Sequence, residues 1–170
     1  MEHGKEGKEK EFFEEMISMN RVSKMQKGGR RFSFSVLVVL GDKKGRAGFG
    51  LGKANDSTDA IRKAVESARR NMIDIPIKNG TLIHPIYYKY KSSKIILKPA
   101  APGTGIIAGG HIRKVMEAIG IKDVLAKRLG SGNSVNIVKG IFEALSNAID
   151  GRRVAKSRGR TLKDIWGGAQ

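Results

Sequence analysis

The chain has 170 residues, enough for one ordinary domain or two small ones, and it contains no cysteine, which excludes disulfide bonds, thiolate metal sites and a cysteine nucleophile. Its most apolar runs, such as VLVVL at residues 36–40, are far shorter than a bilayer requires, so we expect a soluble protein with no membrane partner. The 33 Lys and Arg residues against 16 Asp and Glu residues give a net charge of +17, which favours a polyanionic partner, nucleic acid first.

The chain begins with an acidic segment, which we assign as an extension over residues 1–20. This segment contains six acidic residues and three lysines, so the rest of the chain carries a net charge of +20. Residues 9–20 could form a short helix with Phe12, Met16 and Met19 on one side, or they could stay frayed.

Residues 21–75 are predicted to form a domain of three antiparallel strands and one helix. Residues 31–40 alternate apolar and polar side chains with the period of a half-buried strand, and Arg46–Ala54 predicts a second strand after a turn. A glycine pair at residues 28–29 marks the tip of a hairpin. The helix that follows has Asp56 or Ser57 as its cap. Its apolar residues are Ala60, Ile61, Ala64, Val65, Ala68 and Met72.

Residues 76–150 are predicted to form a second unit of short strands, a helix, another strand and a last helix, which makes the fold class α+β. Short strands are expected around residues 75–78, 81–90 and 94–98, and another over residues 123–129. The last helix is expected to end at residues 150–151. The inward residues are Ile112, Val115, Met116 and Ile119 on one helix and Val138, Ile141, Phe142, Leu145 and Ile149 on the other.

Residues 151–170 form a basic carboxy-terminal tail. Small and flexible residues separate its cations, so we expect it to be disordered in the free chain and ordered on RNA. The cations are Arg152, Arg153, Lys156, Arg158, Arg160 and Lys163.

Two glycine-rich stretches resemble nucleotide-binding motifs, but neither has the required context. In PGTGIIAGG, which begins at Pro102, prolines separate the preceding strand from the loop, and the downstream acid Asp123 begins a strand instead of ending one. Around GFGLGKA, at residues 48–54, the preceding Ala47 stands where a phosphate-binding loop needs Gly, and Ala54 stands where it needs Ser or Thr. We therefore expect no nucleotide cofactor. A glycine-rich loop that enters a helix can still approach a phosphate or a neighbouring chain closely.

Catalytic and metal-binding residues are sparse. Residues 75–116 contain no Asp or Glu, so this stretch lacks a carboxylate pair for general acid and base chemistry. His3, His84 and His111 are isolated from one another and have no ligand-spaced neighbours. We therefore predict that the chain is not an enzyme, binds no metal and has no small-molecule substrate.

The most informative stretch is RVSKMQKGGRR at residues 21–31, which carries five cations, no acid and a central glycine pair. It predicts a charged hairpin that can enter a groove, with glycines that allow close approach to phosphates. The alternative is a solvated edge strand that deters aggregation. Because aromatic residues make up only 6% of the chain, we favour recognition of the backbone and shape of folded RNA over base stacking.

Six ordered segments carry a resemblance to a known family. The segments NRVSKMQKGGRRFSF, GRAGFGLGKA, ARRNMI, NGTLIHP, PGTGIIAGG and VLAKRLGSGN resemble the fifth protein of the bacterial-type small ribosomal subunit. The resemblance covers about residues 14–168. It implies an amino-terminal domain similar to a double-stranded-RNA-binding fold, then the two-layer β-α-β-α domain of this family. It differs at Asp56 and Asp59, which stand where such RNA-binding folds place lysines.

The resemblance also implies partners and sites. The hairpin would insert into small-subunit ribosomal RNA, and the loop at residues 103–110 would meet small-subunit ribosomal protein four. Protein eight would contact the second domain, and the whole chain would lie beside the channel by which the messenger enters, where it supports decoding accuracy. The assigned RNA-binding residues are Arg21, Val22, Ser23, Lys24, Lys27, Gly28, Gly29, Arg30, Arg31, Lys53, Arg69 and Arg70, and the assigned protein-contact residues are Gly103, Thr104, Gly105, Gly109, Gly110 and Arg113.

The function predicted from the sequence is a structural constituent of the small ribosomal subunit. We expect the protein in the cytoplasm, with an organellar ribosome as an alternative location. The alternative function is a free-standing RNA-binding or RNA-annealing protein.

Overall fold

Residues 12–148 and 151–160 are described by the computed structural model. The first part of the chain forms a four-stranded antiparallel sheet, in which each strand pairs with the next along the chain, and one helix. The elements are β1 (Phe13–Gln26), β2 (Gly29–Gly41), β3 (Arg46–Ala54), α1 (Ser57–Arg70) and β4 (Ile73–Asp74). The predicted three strands and helix are therefore confirmed, and a two-residue edge strand is added.

For residues 9–20 we considered a short helix or a frayed segment. Over the part of this segment that the structure describes, both expectations are wrong. Residues from Phe13 onward belong to β1 and pair with β2 along its whole length. A β-bulge between Met16 and Ser18 interrupts the alternation of this strand, while Ile17 is buried in the core. The bulge hides the strand period, and pairing with β2 outweighs the local helical spacing. Residues 9–11 lie outside the described residues.

Helix α1 packs closely against β3 because small residues meet on both sides. Alternate residues of β3 are glycines that face the helix, and the facing helix residues are alanines four apart. The pairs are Gly48 with Ala68, Gly50 with Ala64 and Gly52 with Ala60. A Cβ atom at Gly50 would lie 2.0 Å from the backbone oxygen of Ala64. The glycines of the apparent phosphate-loop motif therefore serve helix packing.

Asp56 caps the amino terminus of α1, as predicted. Its carboxylate accepts the backbone N–H of Ser57 at 2.8 Å and the hydroxyl of Thr58. Two hydrogen bonds lower the pKa of Asp56 below its usual value: the one from the Thr58 hydroxyl has the larger effect, and the one from the Ser57 backbone has the next largest. The acid at this position therefore stabilises the start of the helix.

The second part of the chain forms a small hairpin, a four-stranded mixed sheet and helices. The sheet has the strand order β7-β8-β10-β9, with β10 antiparallel to β8 and parallel to β9. The elements are β5 (Ile77–Lys78), β6 (Thr81–Leu82), β7 (Ile86–Tyr90), β8 (Ser93–Pro99), β9 (Ile106–Ile107), α2 (Gly110–Ile119), β10 (Val124–Gly130), α3 (Ser134–Ser146) and α4 (Gly151–Ser157). The α+β class with two units is confirmed.

The carboxy-terminal end differs from the prediction. Helix α3 ends at Ser146, and Gly151 begins α4 instead of ending α3. The expectation of disorder is wrong for Gly151–Ser157, because Ala155 is 5% exposed and anchors the short helix by burial. Ile149, Asp150 and Lys163 lie outside the described residues.

The two units share one hydrophobic core. The sheet β1–β4 packs α1 on one face and the second unit on the other, where the Phe49 and Phe142 rings stand 5.0 Å apart. A Cβ atom at Gly41 would lie 1.8 Å from the backbone oxygen of Ala118, so α2 touches the strand backbone directly. This shared core holds the sites of both units in a common frame. In the described parts of the chain, no helix has the length and apolar character needed to cross a membrane.

Candidate nucleic-acid interface

The predicted hairpin is a two-stranded ribbon that extends beyond the sheet. Strand β3 pairs with β2 only from Phe34 to Gly41, whereas β1 continues to pair with β2 as far as Gln26 and Gly29. Residues 21–33, which we call the ribbon, therefore project about 17 Å past the end of β3. Residues 21–32 are all exposed.

The tip of the ribbon is a glycine turn. Gly28 has φ +105° and Gly29 has φ +143°, a backbone region that other residues rarely adopt. Apart from the adjoining residues, no atom of the described part of the chain lies within 4 Å of a Cβ built at either position. The turn chemistry therefore requires glycine, and the tip leaves open space that a phosphate backbone can fill.

Both faces of the ribbon carry cations. Lys24 lies directly opposite Arg31, and the guanidinium of Arg21 lies 3.8 Å from the centre of the Phe32 ring. Within residues 12–148 and 151–160, none of the ribbon's five cations forms an ion pair. Like charges placed opposite each other across strands destabilise a hairpin, and an anion relieves that repulsion. The arrangement suits a groove that presents phosphates on two walls.

Exposed apolar side chains lie on the ribbon and next to it, and of these only Val22 is among the RNA-binding residues assigned from the sequence. Met25 is 70% exposed at the tip, and Val22, Met19 and Phe32 are 40 to 45% exposed. The strand alternation places Met25 on one face and Val22 on the other. A two-stranded ribbon with no further layer packed on it exposes the apolar residues of both faces. The strand alternation of these residues in the sequence was therefore the signal that could have indicated their exposure.

The structure brings only some of the other assigned RNA-binding residues close to the ribbon. Lys53 pairs with Ser35, next to the ribbon's root. Arg69 and Arg70 lie in the last turn of α1, at the opposite end of the sheet, because the neighbouring Ala68 contacts Gly48. Any RNA contact that Arg69 and Arg70 make is therefore separate from the RNA contact of the ribbon.

The second unit anchors the ribbon at its root. The Lys114 ammonium of α2 donates a hydrogen bond to the backbone oxygen of Met16 at 2.8 Å, and it lies 3.3 Å from the Glu15 carboxylate. The hydroxyls of Ser18 and Ser134 lie 3.1 Å apart. These contacts flank the bulge that bends β1, so the second unit fixes the direction in which the ribbon projects.

The glycine loop at residues 103–110 is held by a buried acid. Asp123, 7% exposed, accepts the backbone N–H of Gly105 at 2.8 Å. The carboxylate that a dinucleotide fingerprint would place on a ribose thus holds the loop itself. Gly103 and Gly105 adopt positive φ values of +90° and +75°, which favour glycine.

Gly109 and Gly110, at the start of α2, have a different character. Among the residues that the structure describes, leaving aside the adjoining ones and the backbone of α2, none lies within 4 Å of a Cβ atom built at either position, and neither glycine has positive φ. Both are exposed. Contacts within the described part of the chain therefore do not require glycine at these positions. Three residues beyond Gly110, Arg113 forms an ion pair with Glu117 at 3.4 Å.

Two family models match the chain. The first, "Ribosomal protein S5, N-terminal domain", matches residues 12–76, and the second, "Ribosomal protein S5, C-terminal domain", matches residues 88–158. The chain belongs to the ribosomal protein S5 family. This confirms the resemblance carried by the six segments, and it agrees with the prediction of a structural protein that is not an enzyme.

Curated relatives match almost the whole chain. A Treponema denticola protein named small ribosomal subunit protein uS5 is 54% identical, with 98% of this chain and 100% of the relative covered. Proteins of the same name from Treponema pallidum and Borreliella burgdorferi are each 52% identical, covering 94% and 91% of this chain and 93% of each relative.

Proposed function

We propose that this S5-family chain is a structural component of the small ribosomal subunit that binds small-subunit ribosomal RNA through its ribbon. The observation that carries the proposal is the ribbon itself: five exposed cations, no acid and a glycine tip on a strand pair that projects from the sheet. Neutralised phosphates release counterions, so such a segment gains affinity without base readout.

The ribbon residues have distinct roles in this proposal. The cations Arg21, Lys24, Lys27, Arg30 and Arg31 bind phosphates from both faces of the ribbon. Val22 and Ser23 lie between them, and the tip glycines allow close approach to the RNA backbone. Lys53 adds a contact at the root, while Arg69 and Arg70 contact RNA elsewhere.

The glycine loop is proposed as a protein contact. Gly109 and Gly110 are exposed and have open space where a side chain would stand, so a neighbouring chain can pack directly on the backbone. Gly103, Thr104, Gly105 and Arg113 complete this surface. We assign it to small-subunit ribosomal protein four, and another part of the second unit to protein eight. The chain then lies beside the channel by which the messenger enters and supports decoding accuracy, in the cytoplasm.

Retention on small subunits tests the proposal. We compare the wild-type chain with a ribbon variant, Lys24→Gln, Lys27→Gln and Arg30→Gln. A control variant, Lys44→Gln, Lys63→Gln and Lys122→Gln, loses the same charge from exposed positions outside the ribbon. After a high-salt wash, the wild type and the control should stay stoichiometric with the subunit, while the ribbon variant is depleted.

Two results would contradict the proposal. Equal retention of the ribbon variant and the wild type would show that the ribbon does not carry binding. Loss of all association by the wild type would favour the free-standing RNA-binding protein.

A further inference from the structure

The mixed sheet of the second unit has one covered face. Helix α3 packs on that face, where a Cβ atom at Gly140 would lie 2.7 Å from the Ile95 side chain. The hydroxyl of Tyr88, two residues from the end of β7, donates a hydrogen bond to Glu143 at 2.9 Å. The side chains that alternate with Tyr88 and Ile95 therefore point to the opposite face.

That opposite face, which we call the open face, is exposed across all four strands. Tyr87 is 64% exposed and Ile107 is 56% exposed, while Leu129 and Leu125 are 45% and 38% exposed. The strand register assigns nine residues to it: Tyr87, Lys89, Lys94, Ile96, Lys98, Ile107, Leu125, Lys127 and Leu129. Ile107 also belongs to the glycine loop, and the other eight lie outside both assigned sites.

The open face has four lysines and no acidic residue. Lys89 and Lys94 are directly opposite each other on neighbouring strands, and both are exposed. In the described ranges, none of the four lysines forms an ion pair. A directly opposed like-charge pair destabilises a sheet, whereas an acid at one position would stabilise it. The face is therefore electrostatically complementary to an anion, which none of the residues that the structure describes supplies by an ion pair.

The composition favours RNA over an acidic protein as that anion. Lysine is depleted in protein–protein interfaces, whereas interfaces with nucleic acid are strongly positive. Tyr87 lies in one cross-strand row with Ile96 and Lys127, so the exposed ring has Ile96 as its direct neighbour and a cation two strands away, at about 10 Å. An unpaired base can stack on such a ring while lysines contact the flanking phosphates.

We propose that the open face is a second RNA-binding surface, which takes a single-stranded segment of RNA. Because it carries a single aromatic ring, the lysines supply most of the affinity and Tyr87 stacks one base. This inference rests on the proposed ribosomal function, but it uses neither the ribbon nor its cations.

The first test measures salt-dependent binding of the full chain to purified small-subunit ribosomal RNA. The variant Lys89→Gln, Lys94→Gln should lower the slope of log affinity against log salt by about 1.4, at about 0.7 per single-strand phosphate contact. It should also unfold at a higher temperature than the wild type, because the opposed charges are removed. Weaker binding by a more stable protein cannot come from misfolding.

The second test identifies the partner. A photoreactive phenylalanine analogue at position 87, in chain assembled into small subunits, should crosslink to RNA. Crosslinks to protein alone, or no crosslinks, would overturn the inference, as would an unchanged salt slope in the double variant. If the ribbon variant then still loses RNA affinity, the proposed function stands without the open face. Failure of the wild type to bind RNA would overturn both.

Discussion

At the scale of single residues, glycine has two different roles that look alike in the sequence. Gly48, Gly50 and Gly52 have α1 directly against them, so a side chain there meets backbone atoms. Gly109 and Gly110 face open space. The first set is required by the fold, and the second set is available to a partner. The two sets of glycines are distinguished only by the packing of α1 on β3.

Paired glycine substitutions test this distinction. Gly50→Ala should lower the free energy of unfolding by about 3 kcal/mol or more, because the new Cβ overlaps the backbone of Ala64. Gly110→Ala should leave stability unchanged or raise it by about 0.5 kcal/mol, because alanine favours a helix. Chemical denaturation of both variants measures the difference. Equal losses of stability would contradict the assignment.

Gly110→Ala has a further expected effect in the assembled subunit. Because the added methyl group faces outward, we expect it to weaken association with a protein neighbour without harming the isolated chain. Binding of the stably folded variant to small-subunit ribosomal protein four measures this. Wild-type affinity in that assay would remove the glycine pair from the proposed contact.

Asp56 predicts a pH dependence. Its pKa is lowered in the folded chain, so its contribution to stability is present above the unfolded pKa of about 3.9 and is lost as pH falls through the lower, folded value. Asp56→Asn keeps a capping oxygen but cannot titrate, so it should show a flatter loss of stability below about pH 4 than the wild type. If the acid denaturation curves of the wild type and Asp56→Asn are parallel, protonation of Asp56 is not coupled to unfolding.

At the scale of elements, the ribbon depends on its anchor to α2. Lys114→Met removes both the hydrogen bond to Met16 and the ion pair with Glu15. We expect RNA affinity to fall about fivefold, corresponding to about 1 kcal/mol of lost preorganisation. The salt slope should not change, because all five ribbon cations remain.

A charge-matched variant separates anchoring from charge. Lys63→Met loses one exposed lysine from α1, far from the anchor, and should bind RNA like the wild type. Lys114→Arg keeps a donor and should restore most of the affinity. If Lys114→Met instead reduces the salt slope by about one contact, Lys114 touches RNA directly and the anchoring role is wrong.

The predictable elements are those whose period is uninterrupted. Residues 31–36 alternate polar and apolar side chains, Arg46–Ala54 has glycine at every second position from Gly48 to Gly52, and the alanines of α1 repeat at helical spacing, so these three elements follow from the sequence. Strand β1 does not, because its bulge at Ile17 breaks the alternation and Met16 and Met19 happen to match a helix. Helix α4 was missed because the burial of Ala155 depends on tertiary packing, which the local sequence pattern does not show.

The candidate sites differ in the same way, according to whether their residues are close together in the sequence. The ribbon's cations lie within 11 consecutive residues, so the sequence alone indicates them. The anchor joins Met16 to Lys114, almost 100 residues apart, and no local pattern predicts it. The open face needs the register of four strands before Lys89 and Lys94 are known to be neighbours. Long-range pairing is the information that sequence patterns lack.

At the scale of the whole molecule, a shared core holds a basic ribbon at a fixed angle. Both units contribute to that core, and the second unit anchors the root of the ribbon. The chain has a net charge of +17, and the ribbon and the open face each carry cations and no acidic residue. This distribution of charge suits an anionic partner. A polyanion that engages these surfaces relieves repulsion that the free chain tolerates.

The most direct measurement is the salt dependence of binding to purified small-subunit ribosomal RNA, for the wild type and the Lys24→Gln, Lys27→Gln, Arg30→Gln variant. If the ribbon neutralises phosphates, the slope of log affinity against log salt should fall by about 2 to 3, at about 0.7 to 0.9 per lost contact. The Lys44→Gln, Lys63→Gln, Lys122→Gln control should retain the wild-type slope. Identical slopes for the ribbon variant and the wild type would place the three side chains in water and contradict the account.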